Sequence, residues 1–545
     1  MNKSPTKIEI KYPYSRVEVK KGYYRDSIQL LKISEEVKKV PGVREALIAM
    51  GTDTNKELLK MLGFTYDALD SVTPNDLIIA IGAESEEALN NAYNVANRLL
   101  EEGIGGVSGE YYSDIDEALA KNPDITLALI SIPGQYVKDI ALKLIDRGIH
   151  LHIFSDNVPI QDEVEIKKRA YEKGILVLGP GAGTVIIKGL GLGFSNKVKV
   201  GNVGIVAASG TGLQEVSSLL SEVGIGISYG LGVGGNDVKD VVGGLMTMLS
   251  LKFLEENPDT NIMALISKVP DKSTEGKIID YISMHVTKPI VINFLGGHEY
   301  PSSPTRVFTY TLHQTILQLA KLVSEDKYRE AISKYSVEFD DLLKMANELK
   351  RQLNAKQRFI RGLFVGGSFT NETLVILREM INNIYSNSPI EGVHKLENPF
   401  ISVANSIIDI GDEVFTRGRP HPMIDPTIRI NRLYKEATSE DVAVILLDFV
   451  LGYGSHNDPV GSHIDTIKRI IEINEELKRH VIIISHVCGT NEDPQNLQEQ
   501  VSKLKSLNDV IVMPTNALAA FLAGLIISDK PKEKLKYIYE RLIKV

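Results

Sequence analysis

The sequence predicts an α/β fold in parallel sheets covered by helices. Three observations carry this: strand-length apolar runs that do not alternate, amphipathic helix-length segments between them, and the return of that pattern twice along the chain. Between residues 27 and 195 the strand-like runs are "REALIAMG", "DLIIAIG", "ITLALISI", "HLHIFSD" and "ILVLG". The segments between them, "TNKELLKMLG", "SEEALNNAYNVANRLLEE", "GQYVKDIALKLIDRG" and "QDEVEIKKRAYEKG", have helical spacing. A strand that stays apolar residue after residue is buried on both faces, the usual condition of a parallel sheet. The alternation restarts at Val203 with "VGIVAAS", "SYGLGVGG", "IMALISKV" and "PIVINFLGG". It restarts again at Gly362 with "GLFVGGS", "DVAVILLDFVLGYG", "HVIIISHVCG" and "DVIVMPT". Residues 324–357, charged and poor in Gly and Pro, are expected to be helix and linker.

At 545 residues the chain exceeds what one core can organise. The expected domains are an N-terminal α/β segment at 1–110, a Rossmann-like domain at 111–195, a flavodoxin-like domain at 196–323, the helical linker at 324–357 and a second flavodoxin-like domain at 358–545. No apolar run reaches the roughly 20 residues of a membrane span, and the first residues lack the apolar centre of a signal peptide. A cytoplasmic protein with no membrane association is expected. The net charge of −9 argues against nucleic acid as a partner. One cysteine, Cys488, excludes a Cys-rich zinc site, and the 11 histidines show no HExxH spacing, so no metal site is expected.

The two later modules look like a weak repeat. Each opens with a strand and a small-residue loop, "AASGTG" at 207–212 and "VGGSFTNET" at 365–373. Each continues through a longer loop, "GLGVGGNDVKD" at 230–240 and "DIGDEVFTRGRPHPMIDP" at 409–426, then a central strand ending in "SKVPD" or "GYGSHNDP". Ligands of open α/β sheets bind beyond the carboxyl ends of the strands, so these loops gather on one edge of each module, and two such edges can face each other. Helix N-termini with small residues expose backbone N–H groups to an anion. The expected anion-binding residues are Ser209, Gly210, Thr211, Gly212, Gly234, Gly235, Asn236, Gly367, Ser368, Thr370 and Lys268. The plain alternative is that Ser209 or Thr211 only caps a helix.

"TRGRPHPMIDP" sets Arg417, Arg419, His421 and Asp425 among Pro420, Pro422 and Pro426. Arginines hold carboxylate or phosphate, and prolines stiffen the loop that presents them. The alternative is a surface loop whose arginines pair with Asp412 and Glu413. Arg417, Arg419 and His421 are expected to bind and polarise a carbonyl or carboxylate, with Asn457 and Asp458 orienting it. Ser455 and His456 are neighbours in sequence, and neighbouring side chains diverge, so they do not read as a nucleophile and its base. Cys488, at the end of an apolar strand, reads as a buried inert thiol.

With "LALISIPGQYVKDIALKLIDRGIHLHIFSDNVPIQDEVEIKKRAYEKGILVLGPGAGTVI", "VGIVAASGTGLQEV" and "KPIVINFLGG", the chain resembles the α subunit of succinyl-CoA synthetase. The second module resembles the β subunit's carboxyl-terminal ligase domain. "MGTDTNKELL", "TPNDL", "FSDNV", "GRPHPMIDPT" and the Gly489 to Gln495 segment are similar to the FdrA-type acyl-CoA synthetase-like proteins over nearly the whole chain. The resemblance implies a Rossmann-like CoA-binding-type domain followed by two flavodoxin-like, succinyl-CoA synthetase-like ligase domains. In the synthetases a Gly-His-Ala-Gly histidine carries phosphate and a glutamate supports it. Here that region reads "GGHEYPSSPTRVFTY", Lys268 stands at the glutamate position, and His298 and His313 are out of register. The Gly-x-Thr-Gly CoA loop and an ATP-grasp domain have no counterpart, which leaves CoA or a nucleotide as open cofactors. FdrA-like proteins imply a subunit of an oxamate carbamoyltransferase in purine and allantoin breakdown, working with partner subunits on a carbonyl phosphate or a carboxylate or amide. The first expectation is therefore a carbamoyl- or acyl-transfer enzyme. An ADP-forming acyl-CoA ligase subunit completed by a separate ATP-grasp chain is the alternative, and a non-catalytic scaffold a third.

Overall fold

The computed structural model describes residues 12–23, 25, 27–102, 112, 114–298, 300–417, 419–507 and 509–545. The chain divides into two compact units, one reaching to Glu117 and including Gly411–Ile428, the other formed by Ala118–Ile410 and Arg429–Val545.

In the first unit β1 (Tyr14–Lys20), α1 (Ser27–Lys38), β2 (Val43–Met50), α2 (Asp53–Met61), β3 (Leu77–Ala83) and α3 (Glu86–Glu102) follow one another. The strands pair in the order β1-β3-β2, and both pairings are antiparallel. The parallel expectation fails for this segment. Central β3 buries Leu77, Ile79, Ile81 and Ala83 with Leu30, Ile33, Ala92 and Ala96, and turns Ile78 and Ala80 to Leu59, Phe64 and Val72. Burial on both faces makes the uninterrupted apolar run, whatever direction the neighbours take. Strand β1 is only half-buried or exposed and carries no such run.

The second unit begins beyond the start of α4 (Ile115–Lys121) with β4 (Leu127–Ile130), α5 (Val137–Asp146), β5 (His150–Ile153), α6 (Ile160–Lys173) and β6 (Val177–Leu178). Its three strands are parallel in the order β4-β5-β6, a Rossmann-like half-sheet. The hairpin β7 (Thr184–Ile187) and β8 (Leu190–Gly193) pairs with the next sheet. That sheet is built from β9 (Val200–Ala208), α7 (Gly210–Glu222), β10 (Ile227–Gly232), α8 (Leu245–Glu256), β11 (Ile262–Lys268), α9 (Lys272–His285), β12 (Ile290–Leu295) and β13 (Arg306–Thr309). Helices α10 (Leu312–Val323), α11 (Glu325–Tyr335) and α12 (Phe339–Lys350) lead onward.

The last module contains β14 (Phe359–Phe364), α13 (Gly367–Met380), β15 (Ile384–Ser386), β16 (His394–Lys395) and β17 (Asn405–Asp409). After α14 (Glu413–Thr416), which belongs to the first unit, come α15 (Thr427–Ala437), β18 (Val442–Val450), α16 (Gly461–Glu476), β19 (Ile482–Cys488), α17 (Leu497–Lys505), β20 (Val510–Val512), α18 (Asn516–Ile527) and α19 (Lys532–Leu542). The two large sheets share one strand order, β10-β9-β11-β12-β13 and β17-β14-β18-β19-β20, which is the flavodoxin-like 2-1-3-4-5 arrangement. Loops at the carboxyl ends of β9 and β14 therefore lie at equivalent switch points.

The "GGND" loop is tied down by a buried charge cluster. Lys167 on α6, with no exposed surface, meets Glu163 at 2.8 Å and Asp237 at 3.2 Å and donates to the Val233 carbonyl at 3.0 Å. Asp237 in turn accepts from the Met246 and Thr247 amides at the start of α8. Removing the lysine strands two buried carboxylates. Lys167→Ala is expected to lower the unfolding free energy by about 3–5 kcal/mol in a denaturant titration, and a loss below about 1 kcal/mol would contradict this role.

Candidate functional site

Two helix N-termini meet where the two sheets' carboxyl edges face each other. Ser209 is the N-cap of α7, and its side chain makes no capping hydrogen bond within its own helix. Its hydroxyl instead lies 2.6 Å from the Ser368 hydroxyl in the first turn of α13. The Gly212 amide, which an N-cap serine usually satisfies, donates to Ser368 Oγ at 3.0 Å. In return the Ser368 amide donates to Thr211 Oγ1 at 3.2 Å. Each module thus caps the helix of the other, and Ser209, Thr211, Gly212 and Ser368 come together as the sequence suggests.

Close approach requires the glycines. A Cβ on Gly366 would sit 3.0 Å from Thr211 Oγ1, and one on Gly367 would sit 2.8 Å from Asp409 Oδ2 and 3.5 Å from Lys268 Nζ. Lys268 and Asp409 therefore flank the start of α13. The turn before that helix is gripped from below: Asp448 accepts the Val365 and Gly366 amides, each at 2.8 Å. Arg429 pairs with Asp448 at 3.0 Å and its Nε donates to His463 Nε2 at 3.0 Å. That bond needs a neutral imidazole with its proton on Nδ1, donated to the Pro459 carbonyl at 2.8 Å. Burial, and then the Arg429 charge, hold the His463 pKa well below its ordinary value. Burial likewise pulls Arg429 down to about 10.

Six residues after each N-cap stands a buried glutamate. Glu215 on α7 reaches across to His486 on β19 at 2.9 Å. Glu372 on α13 accepts the Leu312 amide at the start of α10 at 2.7 Å and the Asn516 side chain at 2.8 Å. Burial, helped by the nearby Glu215 charge, pushes Glu372 up to about 7. The His486 pKa is raised although burial opposes it, because Glu215 stabilises its charged form. Burial drives the Cys488 thiol well above its ordinary pKa, so it stays protonated.

Other expected residues are engaged differently. Asn236 donates to Glu163 at 2.9 Å, and Gly234, at φ +82°, packs on the Pro180 carbonyl, so that loop joins α6 to the sheet. Gly235 has no atom near its missing side chain. Gly210 opens α7, and Thr370 turns its hydroxyl back to the Gly366 carbonyl. Asp458 caps α16 through the Gly461 amide and binds Gln500 and Lys503 at 2.9 and 2.8 Å. Although burial opposes it, these partners hold its carboxyl below the ordinary value. Asn457 is exposed. Arg417, 73 % exposed, pairs with Glu413 one helical turn back, as the surface-loop alternative anticipates. Arg419 is buried and touches Asp425 at 3.4 Å. His421 Nδ1 accepts the Met423 amide, and burial lowers the ring's pKa to about 4. Among the described residues no group of three or more His, Cys, Asp or Glu could hold a metal ion, and no helix is long and apolar enough to cross a membrane.

The residue reading missed one further arrangement at the carboxyl edge of the first large sheet. His298, beyond β12, presents an imidazole 65 % exposed, with Nδ1 3.0 Å from the buried Glu275 carboxylate on α9. Tyr300 donates to the same carboxylate at 2.9 Å. The pair is 23 residues apart, so only the fold shows it.

In its fold and in part of its sequence the chain is acyl-CoA synthetase-like. Residues 363–526 match the CoA-ligase family, and residues 13–110 match the family described as AllF, heavy metal-associated domain. The latter segment contains neither cysteine nor histidine, and Met50 and Met61 are its only sulfur-bearing residues. The chain is 38 % identical over 499 residues to the uncharacterized protein YahF of Escherichia coli, covering 90 % of this chain and 94 % of that protein. It belongs to the same family as YahF. It is also 29 % identical over 223 residues to subunit alpha 1 of the ADP-forming succinate–CoA ligase of Archaeoglobus fulgidus, covering 38 % of this chain and 74 % of that subunit. A dinucleotide-forming acetyl-coenzyme A synthetase 1 of Ca. Korarchaeum cryptofilum matches at 17 % identity over 83 % of this chain and 94 % of its own, with a TM-score of 0.29, too low to carry weight.

The raised Glu372 and His486 values have one sign. Glu372 binds its proton more tightly folded than unfolded, so its contribution to stability is complete below about pH 4.5 and is lost as pH rises through about 7. His486 contributes below its unfolded value and loses that contribution as pH climbs through the raised one. The Glu372 contribution should fall by about 3 kcal/mol between pH 5 and 8, against the opposite effect of the buried His421 and His463, whose lowered values favour the folded state as pH rises towards 6.5. Glu372→Gln should flatten that fall in melting curves, and an unchanged slope would remove Glu372 from the account.

Proposed function

We propose that the chain performs acyl-CoA ligase chemistry through an acyl phosphate held between the N-termini of α7 and α13. One observation carries this: two helix N-termini face each other at equivalent switch points, held in register by Ser209, Thr211, Gly212 and Ser368. The positive ends of the two helices, with first-turn amides other than those of Gly212 and Ser368, which the hydroxyls already satisfy, would stabilise the charge of a phosphate and of the tetrahedral centre formed beside it. Lys268, at the end of β11, adds a cation next to the start of α13. The succinate–CoA ligase relatives, ADP-forming by name, favour the same reading.

In the direction that consumes the thioester, phosphate attacks the thioester carbonyl, the carbon–sulfur bond breaks and CoA leaves as a thiolate. His298 then takes the phosphoryl group on Nε2 while Glu275 holds the Nδ1 proton, and the carboxylate departs. A nucleotide-binding partner chain receives that phosphoryl group, which makes this chain one subunit of the working enzyme.

A second reading is carbamoyl transfer, between phosphate and an amide nitrogen such as that of oxamate, in allantoin-type nitrogen breakdown. Lys268 would pair with the dianionic phosphate of carbamoyl phosphate as readily as with that of an acyl phosphate.

Incubation with labelled phosphate and a panel of acyl-CoAs should place acid-labile label on His298. His298→Ala should abolish the label, and Lys268→Met should slow labelling about 10²-fold. Label absent with every acyl-CoA, but carbamoyl phosphate consumed with oxamate, would transfer the assignment to the second reading. Inactivity in both arms with the partner present would leave a scaffold and overturn both.

A further inference from the structure

Arg419 is the one arginine among the described residues with two buried nitrogens lacking any hydrogen-bond partner. Its side chain is 3 % exposed, and neither Nε nor Nη1 meets an acceptor. Its single ionic contact, Nη2 to Asp425 Oδ2, is a long 3.4 Å. Asp425 cannot turn to serve the other donors, because Oδ1 is committed to the Thr427 amide at 3.1 Å and hydroxyl at 2.6 Å. A guanidinium enclosed with unmade hydrogen bonds is strongly unfavourable, and buried polar groups are otherwise almost always paired. The segment cannot readily relax to relieve this, since Pro420, Pro422 and Pro426 fix its backbone.

We propose that Nε and Nη1 of Arg419 are the anchor of a binding site for a small monoanionic carboxylate. The charge count selects the class. Arg419 and Asp425 together are neutral, and His421, which accepts the Met423 amide on Nδ1, is a neutral imidazole. A neutral site in which the two Arg419 donors are unfilled accepts one negative charge spread over two oxygens, while a phosphate dianion would leave a second charge unbalanced beside the Asp425 carboxylate. Both donors are enclosed, so entry requires the side chains that cover them to move aside while the proline-fixed backbone keeps its shape, and association is slower than about 10⁵ M⁻¹ s⁻¹. This site stands apart from the reading placed on α7 and α13, and because its test reads binding rather than turnover, either can fail alone.

The test titrates the full chain with oxamate, acetate and inorganic phosphate, followed by calorimetry and melting temperature. At least one carboxylate should bind and raise the melting temperature while phosphate does not. Arg419→Lys, which keeps the charge but loses the planar set of donors, should weaken carboxylate binding by about tenfold or more. Without ligand, Arg419→Lys should melt within about 2 °C of the parent, and Arg419→Met should melt no lower, because a strained charge is removed. Equal binding by parent and Arg419→Lys, phosphate preferred over both carboxylates, or no binding by any probe would each overturn the site. So would a large loss of stability in Arg419→Met, which would make the arginine a structural partner of Asp425.

Discussion

The molecule's second unit is organised around an electrostatic problem: two helix N-termini, each carrying roughly half a positive charge, are brought side by side. Ends of the same sign repel, and their unpaired amides must find acceptors. The contact exists because each end supplies what the other lacks. Ser368 takes the amide that Ser209 leaves, and Thr211 takes the amide of Ser368. Around that exchange everything else is subordinate. The glycines at 366 and 367 let the backbones close, and Asp448, held by Arg429, fixes the turn that presents α13.

Deeper in the same interface the two modules exchange acids. Glu215 and Glu372 occupy the same offset on their helices, and each finds its partner in the opposite module. Such buried polar contacts add less net stability than apolar packing would, and they tolerate far fewer arrangements. A small shift of one sheet against the other would strand a carboxylate. The duplicated sheets are therefore held in one orientation by directional bonds, and a binding position shared between them needs that fixity.

Much of this was legible in the chain itself. Apolar runs such as "DVAVILLDFV" announce strands covered on both sides, and the small-residue loops at 207–212 and 365–373 mark the starts of α7 and α13. What failed has physical causes. A run like "DLIIAIG" reports burial and says nothing about strand direction, so the antiparallel sheet of the first unit was not visible. Arg417 and Arg419 are two residues apart and alike in type, yet one lies on the surface with Glu413 and the other is enclosed. Asp458 carries the charge expected of an orienting residue but spends it on a helix cap. Tertiary pairs such as Glu275 with His298 and Arg429 with Asp448 leave no local signature. Only the matching offset of Glu215 and Glu372 could have been noticed in advance, as identical spacing after two similar loops.

The helices from Leu312 to Lys350 join the two large modules in one polypeptide. Halves on separate chains would meet in proportion to their abundance, whereas here each is confined near the other at a high effective concentration. Dilution cannot part them, and synthesis of one always supplies the other in equal number. Their contact surface is thereby freed from being sticky enough to find a mate in a crowded cell, which permits an interface as polar as the one observed.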